Sequence, residues 1–123
     1  MLFNRTLVRT PVVVFVLALV FGSSGLAFRS FNDVGDAWEK ASTMKKFIGM
    51  GDLPHAVEAG NDSLSSIEKA IDKEEDSSRK DKLRDAQKYV REAIGYAQKD
   101  ERSYAQYADG AIDKAIAILG ELM

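Results

Sequence analysis

The sequence predicts an all-α protein, an up-down four-helix bundle that follows a cleaved N-terminal signal peptide. Three observations predict it. Beyond position 27, apolar residues return at spacings of three and four, the period of one helix face rather than of a strand. That stretch contains a single proline, Pro54, and is divided by glycines and capping-type polar residues into four lengths suited to helices joined by short turns. The composition, 46% hydrophobic and 29% charged with no cysteine in 123 residues, is that of one small folded domain. The missing cysteines exclude a disulfide scaffold, a thiolate metal cluster, a cysteine nucleophile and a cysteine-anchored lipoprotein.

Residues 1–27 have the order of a secretory signal peptide. Arg5 and Arg9 precede the apolar run from Val12 to Phe21, and Gly25 and Ala27 supply the small side chains that a signal peptidase reads just before its cut. Cleavage is expected after Ala27. An uncleaved anchor fits less well, because ten apolar residues make a helix of about 15 Å, half the ~30 Å hydrocarbon thickness. Removing Arg5 and Arg9 from the 17 basic side chains leaves 15 against 19 acidic ones, a formal charge of −4 on residues 28–123. The expected protein is secreted, periplasmic in a Gram-negative bacterium, off the membrane after cleavage and without affinity for nucleic acid.

The first helix is expected over about 33–48, with Val34, Trp38, Ala41 and Ile48 on one stripe, Phe31 ahead of them, and Gly49 and Gly51 as the stop. Trp38 is read as a core anchor. Asp52 can then cap a second helix whose first turn tolerates Pro54, since that position has no intrahelical partner for an amide proton. Val57, Leu64 and Ile71, with Gly60 and Ile67 between them, form a narrow seam ending near Glu74. The polar run Glu74 to Lys80 breaks the chain, and Ser78 with Asp81 is a capping-box-like start for the third helix. That helix carries Leu83, Ala86, Val90, Ala93, Ile94 and Ala97. Ser103 with Gln106 forms a second capping box, which makes Lys99–Arg102 the turn, and the fourth helix carries Tyr104, Ala108, Ala111, Ile112, Ala115, Ile118, Leu119 and Leu122.

A weak internal repeat runs through these helices. Tyr89-Val90-Arg91-Glu92-Ala93-Ile94-Gly95-Tyr96-Ala97 and Tyr107-Ala108-Asp109-Gly110-Ala111-Ile112-Asp113-Lys114-Ala115 share an aromatic start, an Ala-Ile pair and a final alanine, and Ala59 to Ile67 is a looser copy. Small residues at regular intervals let helix axes approach closely. With the turn Gly49-Met50-Gly51-Asp52 and the following Ser63-Leu64, this pattern resembles the small metal-binding proteins of the bacterial periplasm. Those are exported four-helix bundles built from a repeated His-Ala-x-x-Ala/Ser-Val/Leu-x-His-Ala element. The resemblance implies the fold and export. The histidine positions of that element fall on Tyr89, Tyr96, Tyr107, Lys114, Ala59 and Ser66, so its ligand set does not carry over.

Candidate chemistry is sparse. His55 is the only histidine, and with Glu58 and Asp62 on one helical face and Asp52 at the cap it forms a carboxylate-rich set that would hold Cu²⁺, Ni²⁺ or Zn²⁺ weakly. The bland reading is a solvated histidine in a first turn. The acidic run Asp72, Glu74, Glu75, Asp76 lacks the turn glycine of a calcium loop, and the basic cluster Arg79, Lys80, Lys82, Arg84 is interrupted by Asp81. Tyr89, Tyr96, Tyr104 and Tyr107 are expected at the bundle boundary, with apolar rings and wet hydroxyls able to clasp a ligand or partner. No nucleophile motif and no phosphate loop is present. The expectation is a non-catalytic binding or interaction protein without a cofactor, its partner an unidentified protein or small ligand. The alternatives are a weak divalent-metal binder and a homo-oligomerising module built on the Val57, Leu64, Ile71 seam.

Overall fold

The computed structural model describes residues 32–99 and 101–123. The signal peptide expected over 1–27 and the Phe31 contact lie outside the described residues. Four helices make up the described chain: α1 (32–50), α2 (Leu53–Lys73), α3 (Ser77–Gln98) and α4 (Arg102–Leu122), with no strand among the described residues. Short connections force each helix to run back along the previous one, which gives the expected up-down bundle around one core.

The α1–α2 joint follows from two residues. Gly51 adopts φ 79°, a left-handed conformation that closes α1 where an L side chain would be strained. The Gly51 amide donates to the Ile48 carbonyl at 3.0 Å, and Asp52 then caps α2, accepting from the His55 amide at 3.3 Å. Gly49 is inside the helix rather than past its end.

Helix α2 buries small residues, Ala56, Ala59, Gly60, Ser63 and Ala70, together with Leu53 and Ile67. The expected seam of Val57, Leu64 and Ile71 sits beside this face, half buried against the core. Close packing explains the rotation. A Cβ at Gly60 would stand 2.7 Å from Ile94 Cγ1 on α3 and 2.8 Å from Met44 Sδ on α1, so three helices meet where position 60 has no side chain. Ser63 is fully buried and donates to the Ala37 carbonyl at 2.8 Å, tying α2 to α1. Larger residues fill the opposite walls: Met44 on α1, Leu83 and Val90 on α3, Ile112 and Leu119 on α4. Trp38 is half buried and leans on this core from its edge, beside Gly120, while Met44 and Ala37 occupy the centre of the α1 stripe.

Ion pairs close the ring of helices. Lys45 Nζ on α1 lies 2.8 Å from Asp113 and 3.0 Å from Asp109 on α4. The hydrogen bonds it donates to Asp113, then Asp109, hold its pKa above the ordinary lysine value. Lys73 reaches Asp33 at 2.8 Å, across α2 and α1. The helix break at 74–76 is as expected, but its cap is Asp76, which accepts from the Ser78 and Arg79 amides at 2.8 and 3.3 Å. Ser78 is already helical, because a carboxylate two residues upstream reaches the same free amides first. Helix α4 likewise begins at Arg102, one residue before Ser103, with Glu101 in the cap position and no side-chain cap bond. The expected Ser103–Gln106 box is absent, and the turn is shorter by one residue.

Candidate functional site

The proposed metal set is brought together only in part. Asp52 Oδ2 lies 2.7 Å from His55 Nδ1, and the imidazole stacks on Phe47 with ring centroids 5.3 Å apart. Glu58 and Asp62 lie exposed further along α2. Seven helical residues span about 10 Å, whereas ligand bonds to zinc are about 2 Å, so one helix cannot gather His55 and Asp62 on one ion. Among the described residues no group of three or more histidine, aspartate or glutamate side chains is placed to hold a metal.

The acidic and basic clusters serve the fold. Glu74 is buried, with Oε1 accepting from Arg79 Nε at 2.9 Å and Oε2 from the Asp76 amide at 3.2 Å. Arg79 also donates to the Leu122 carbonyl at 2.8 Å, fastening the end of α4 to the α2–α3 loop. Lys82 reaches Glu121 and Arg84 reaches Asp81, both at 3.4 Å and exposed.

The tyrosines assemble. Helices α3 and α4 run antiparallel in a register that sets Lys99 beside Tyr104, Tyr96 beside Tyr107, Tyr89 beside Lys114 and Lys82 beside Glu121. Tyr96, Tyr104 and Tyr107 form one cluster with centroid separations of 5.5, 6.1 and 6.2 Å, within the range of attractive aromatic pairs. Lys99 Nζ sits 5.0 Å from the Tyr104 centroid, and Lys114 and Lys88 lie 5.4 and 5.7 Å from that of Tyr89, close enough for cation–π attraction.

Beside this cluster is a groove of about 240 Å³ lined by Glu92 and Tyr96 of α3 and by Gln106, Tyr107, Gly110, Ala111 and Lys114 of α4. Tyr107 remains 53% exposed there. Gly110 keeps the floor low: nothing lies within 4 Å of where its Cβ would be, so no packing contact compensates the ~1 kcal/mol that a mid-helix glycine costs relative to alanine. Glu92 forms no ion pair with another described residue. A second depression of about 290 Å³, lined by Leu53, Pro54, Val57, Ala97 and Gln98, lies between α2 and α3 and carries no charged group.

The sequence presents these tyrosines as residue types on two separate helices and leaves their meeting undetermined. The signal that finds it is the hairpin register: with α3 and α4 antiparallel, the first position of each repeat copy, Tyr89 and Tyr107, falls opposite the eighth of the other, Lys114 and Tyr96. Comparison of the chain with models of known families, with curated proteins and with solved structures gives no match.

Proposed function

We propose that this chain is an exported, non-catalytic binding protein whose ligand seat is the tyrosine-lined groove between α3 and α4. The observation that carries the reading is the exposed Tyr107 ring, in contact with Tyr96 and Tyr104 and lining one groove with Gly110, Glu92 and Lys114. A tyrosine whose neighbours fix its orientation offers an apolar face and a polar tip at little further entropic cost, which is what binding surfaces use it for. Export rests on the Arg5, Arg9 and Val12 to Phe21 pattern with its small residues before position 28.

The test is amide NMR of the protein against a library of small polar ring compounds. Binders are expected to move the resonances of residues 92–96 and 106–114, and to lose affinity in Tyr107→Ala. Binders that map instead to the Leu53, Pro54 and Val57 depression would overturn the assignment of the seat.

A second reading is a weak Cu²⁺, Ni²⁺ or Zn²⁺ binder related to the histidine-rich periplasmic bundles, and the 2.7 Å contact of Asp52 with His55 favours it. Calorimetric titration separates the two, since micromolar heat that vanishes in His55→Ala belongs to this reading alone. A metal that binds only the folded chain must also raise its melting temperature.

A further inference from the structure

Resting on the groove reading above, we propose that the seat takes a neutral glycan chain, with one pyranose ring on the Tyr96 and Tyr107 platform and the chain running on towards Tyr89. Size comes first. The groove's volume of about 240 Å³ is below the ~300–1,000 Å³ of pockets for drug-sized ligands, so it seats about one ring of a ligand whose remainder lies outside.

Shape comes second. Tyr96 and Tyr107 are 5.5 Å apart and tilted by 35°, already in contact with each other, so a flat aromatic ligand has no slot to enter between them. What they offer is one outward apolar surface, chiefly the exposed Tyr107 ring with the half-buried Tyr96 behind it. The broad C–H face of a pyranose fits it, its weakly positive hydrogens lying against the negative face of the ring.

Polarity narrows the class. Glu92 is acceptor-only, Lys114 donor-only, and Gln106 both, and the lining leaves the opposite charges of Glu92 and Lys114 unpaired with each other. An anionic ligand would meet Glu92 and a cationic one Lys114. A hydroxyl donates to the first and accepts from the second, so an uncharged ring bearing several hydroxyls satisfies both.

Direction follows from the register. Tyr89 lies seven residues from Tyr96 on α3, about 10 Å along the helix and roughly the span of two linked sugar rings. Its ring carries the Lys88 and Lys114 ammonium groups at 5.7 and 5.4 Å from the centroid, so the chain meets hydrogen-bond donors there.

The test is NMR titration of ¹⁵N-labelled protein with glucose, cellotriose, chitotriose and, as an open-chain polyol, sorbitol. At least one trisaccharide is expected to shift signals around Tyr89, Tyr96 and Tyr107 and to bind about tenfold or more tightly than glucose, because it reaches both the Tyr107 ring and the lysine donors at Tyr89. Tyr107→Ala and Glu92→Ala, both at exposed positions, should each weaken that binding about tenfold while leaving the rest of the spectrum in place. Sorbitol matching the trisaccharides, or glucose binding as tightly as they do, overturns the glycan proposal. So does silence from every saccharide. If the library compounds of the preceding section still bind at Tyr107 in that case, the groove stands and only the ligand class falls; if they too bind elsewhere, both readings fall.

Discussion

Replacing Gly60 with alanine sets two opposed effects against each other at a position where the geometry decides the winner. Alanine in a helix interior is favoured over glycine by about 1 kcal/mol. Against that, the new Cβ would stand 2.7 Å from Ile94 Cγ1 and 2.8 Å from Met44 Sδ, with Ile94 Cδ1 at 3.1 Å. Contacts below 3 Å from two different helices cannot be relieved by moving one side-chain tip, so the cost lies toward the upper end of the ~1–3 kcal/mol typical of overpacking. The net expectation is a loss of about 2 kcal/mol, or a fall in Tm of about 10 °C for a domain of this size. Gly95 is the control, being helical, exposed and without any atom within 4 Å of an added Cβ, so Gly95→Ala should stabilise by up to about 1 kcal/mol. Urea unfolding followed by helical circular dichroism measures both. In an Ile94→Ala background the Gly60→Ala penalty should shrink, because the closest neighbour has gone. Gly60→Ala and Gly95→Ala moving stability in the same direction would refute the close-approach argument.

The helix break offers a cleaner contrast, since Asp76→Ala removes the cap of α3 and should cost about 1 kcal/mol, while Ser78→Ala and Ser103→Ala should stay within about 0.5 kcal/mol of the parent in the same unfolding assay. Ser63→Ala deletes a buried hydroxyl bond to the Ala37 carbonyl and should lower stability by about 1 kcal/mol, with Ser63→Val lower still because the added methyl has no room. Lys45 has a pKa raised above 10.5, so its pairing with Asp113 and Asp109 contributes fully below 10.5 and fades as pH rises through the folded-state value. At 42% side-chain exposure that contribution is about 1 kcal/mol or less, so Lys45→Met should be that much less stable at pH 7 and approach the parent at strongly alkaline pH. A gap that stays constant as pH rises well past 10.5 would contradict the ion-pair account.

Legibility in the sequence varied with the size of the residues that carry each face. On α3 and α4 the inward residues include leucine, valine and isoleucine at helical spacing, and Leu83, Val90, Ile112 and Leu119 all lie in the core where the period puts them. On α2 the buried stripe is mostly alanine, glycine and serine, with Leu53 and Ile67 its only large residues, so the larger Val57, Leu64 and Ile71 draw the eye to a face rotated from the true one. Caps misled for another reason. Several acceptors in Glu74 to Ser78 compete for the same amides, and only the backbone path decides that Asp76 reaches them. The tyrosine groove was legible as a set of residue types but not as a place, because it exists only once a three-residue turn sets the register of α3 against α4. Asp52 and His55 meet because they are three residues apart at a helix start, a separation a sequence does fix.

The salt bridge of Lys73 with Asp33 and the hold of Arg79 on the Leu122 carbonyl have a geometric corollary. They gather the first described turn of α1, the 74–76 loop and the end of α4 at one pole of the bundle, whereas Tyr96, Tyr104 and Tyr107 cluster towards the other. The fifteen residue steps along α4 from Tyr107 to Leu122 correspond to about 22 Å. Anything fixed to the start of α1 therefore meets the pole opposite the tyrosines, with about 20 Å of bundle between the attachment point and the tyrosine face. Immobilisation through the N-terminal side leaves the groove open to large ligands, while attachment through the 99–101 turn would press it against the support.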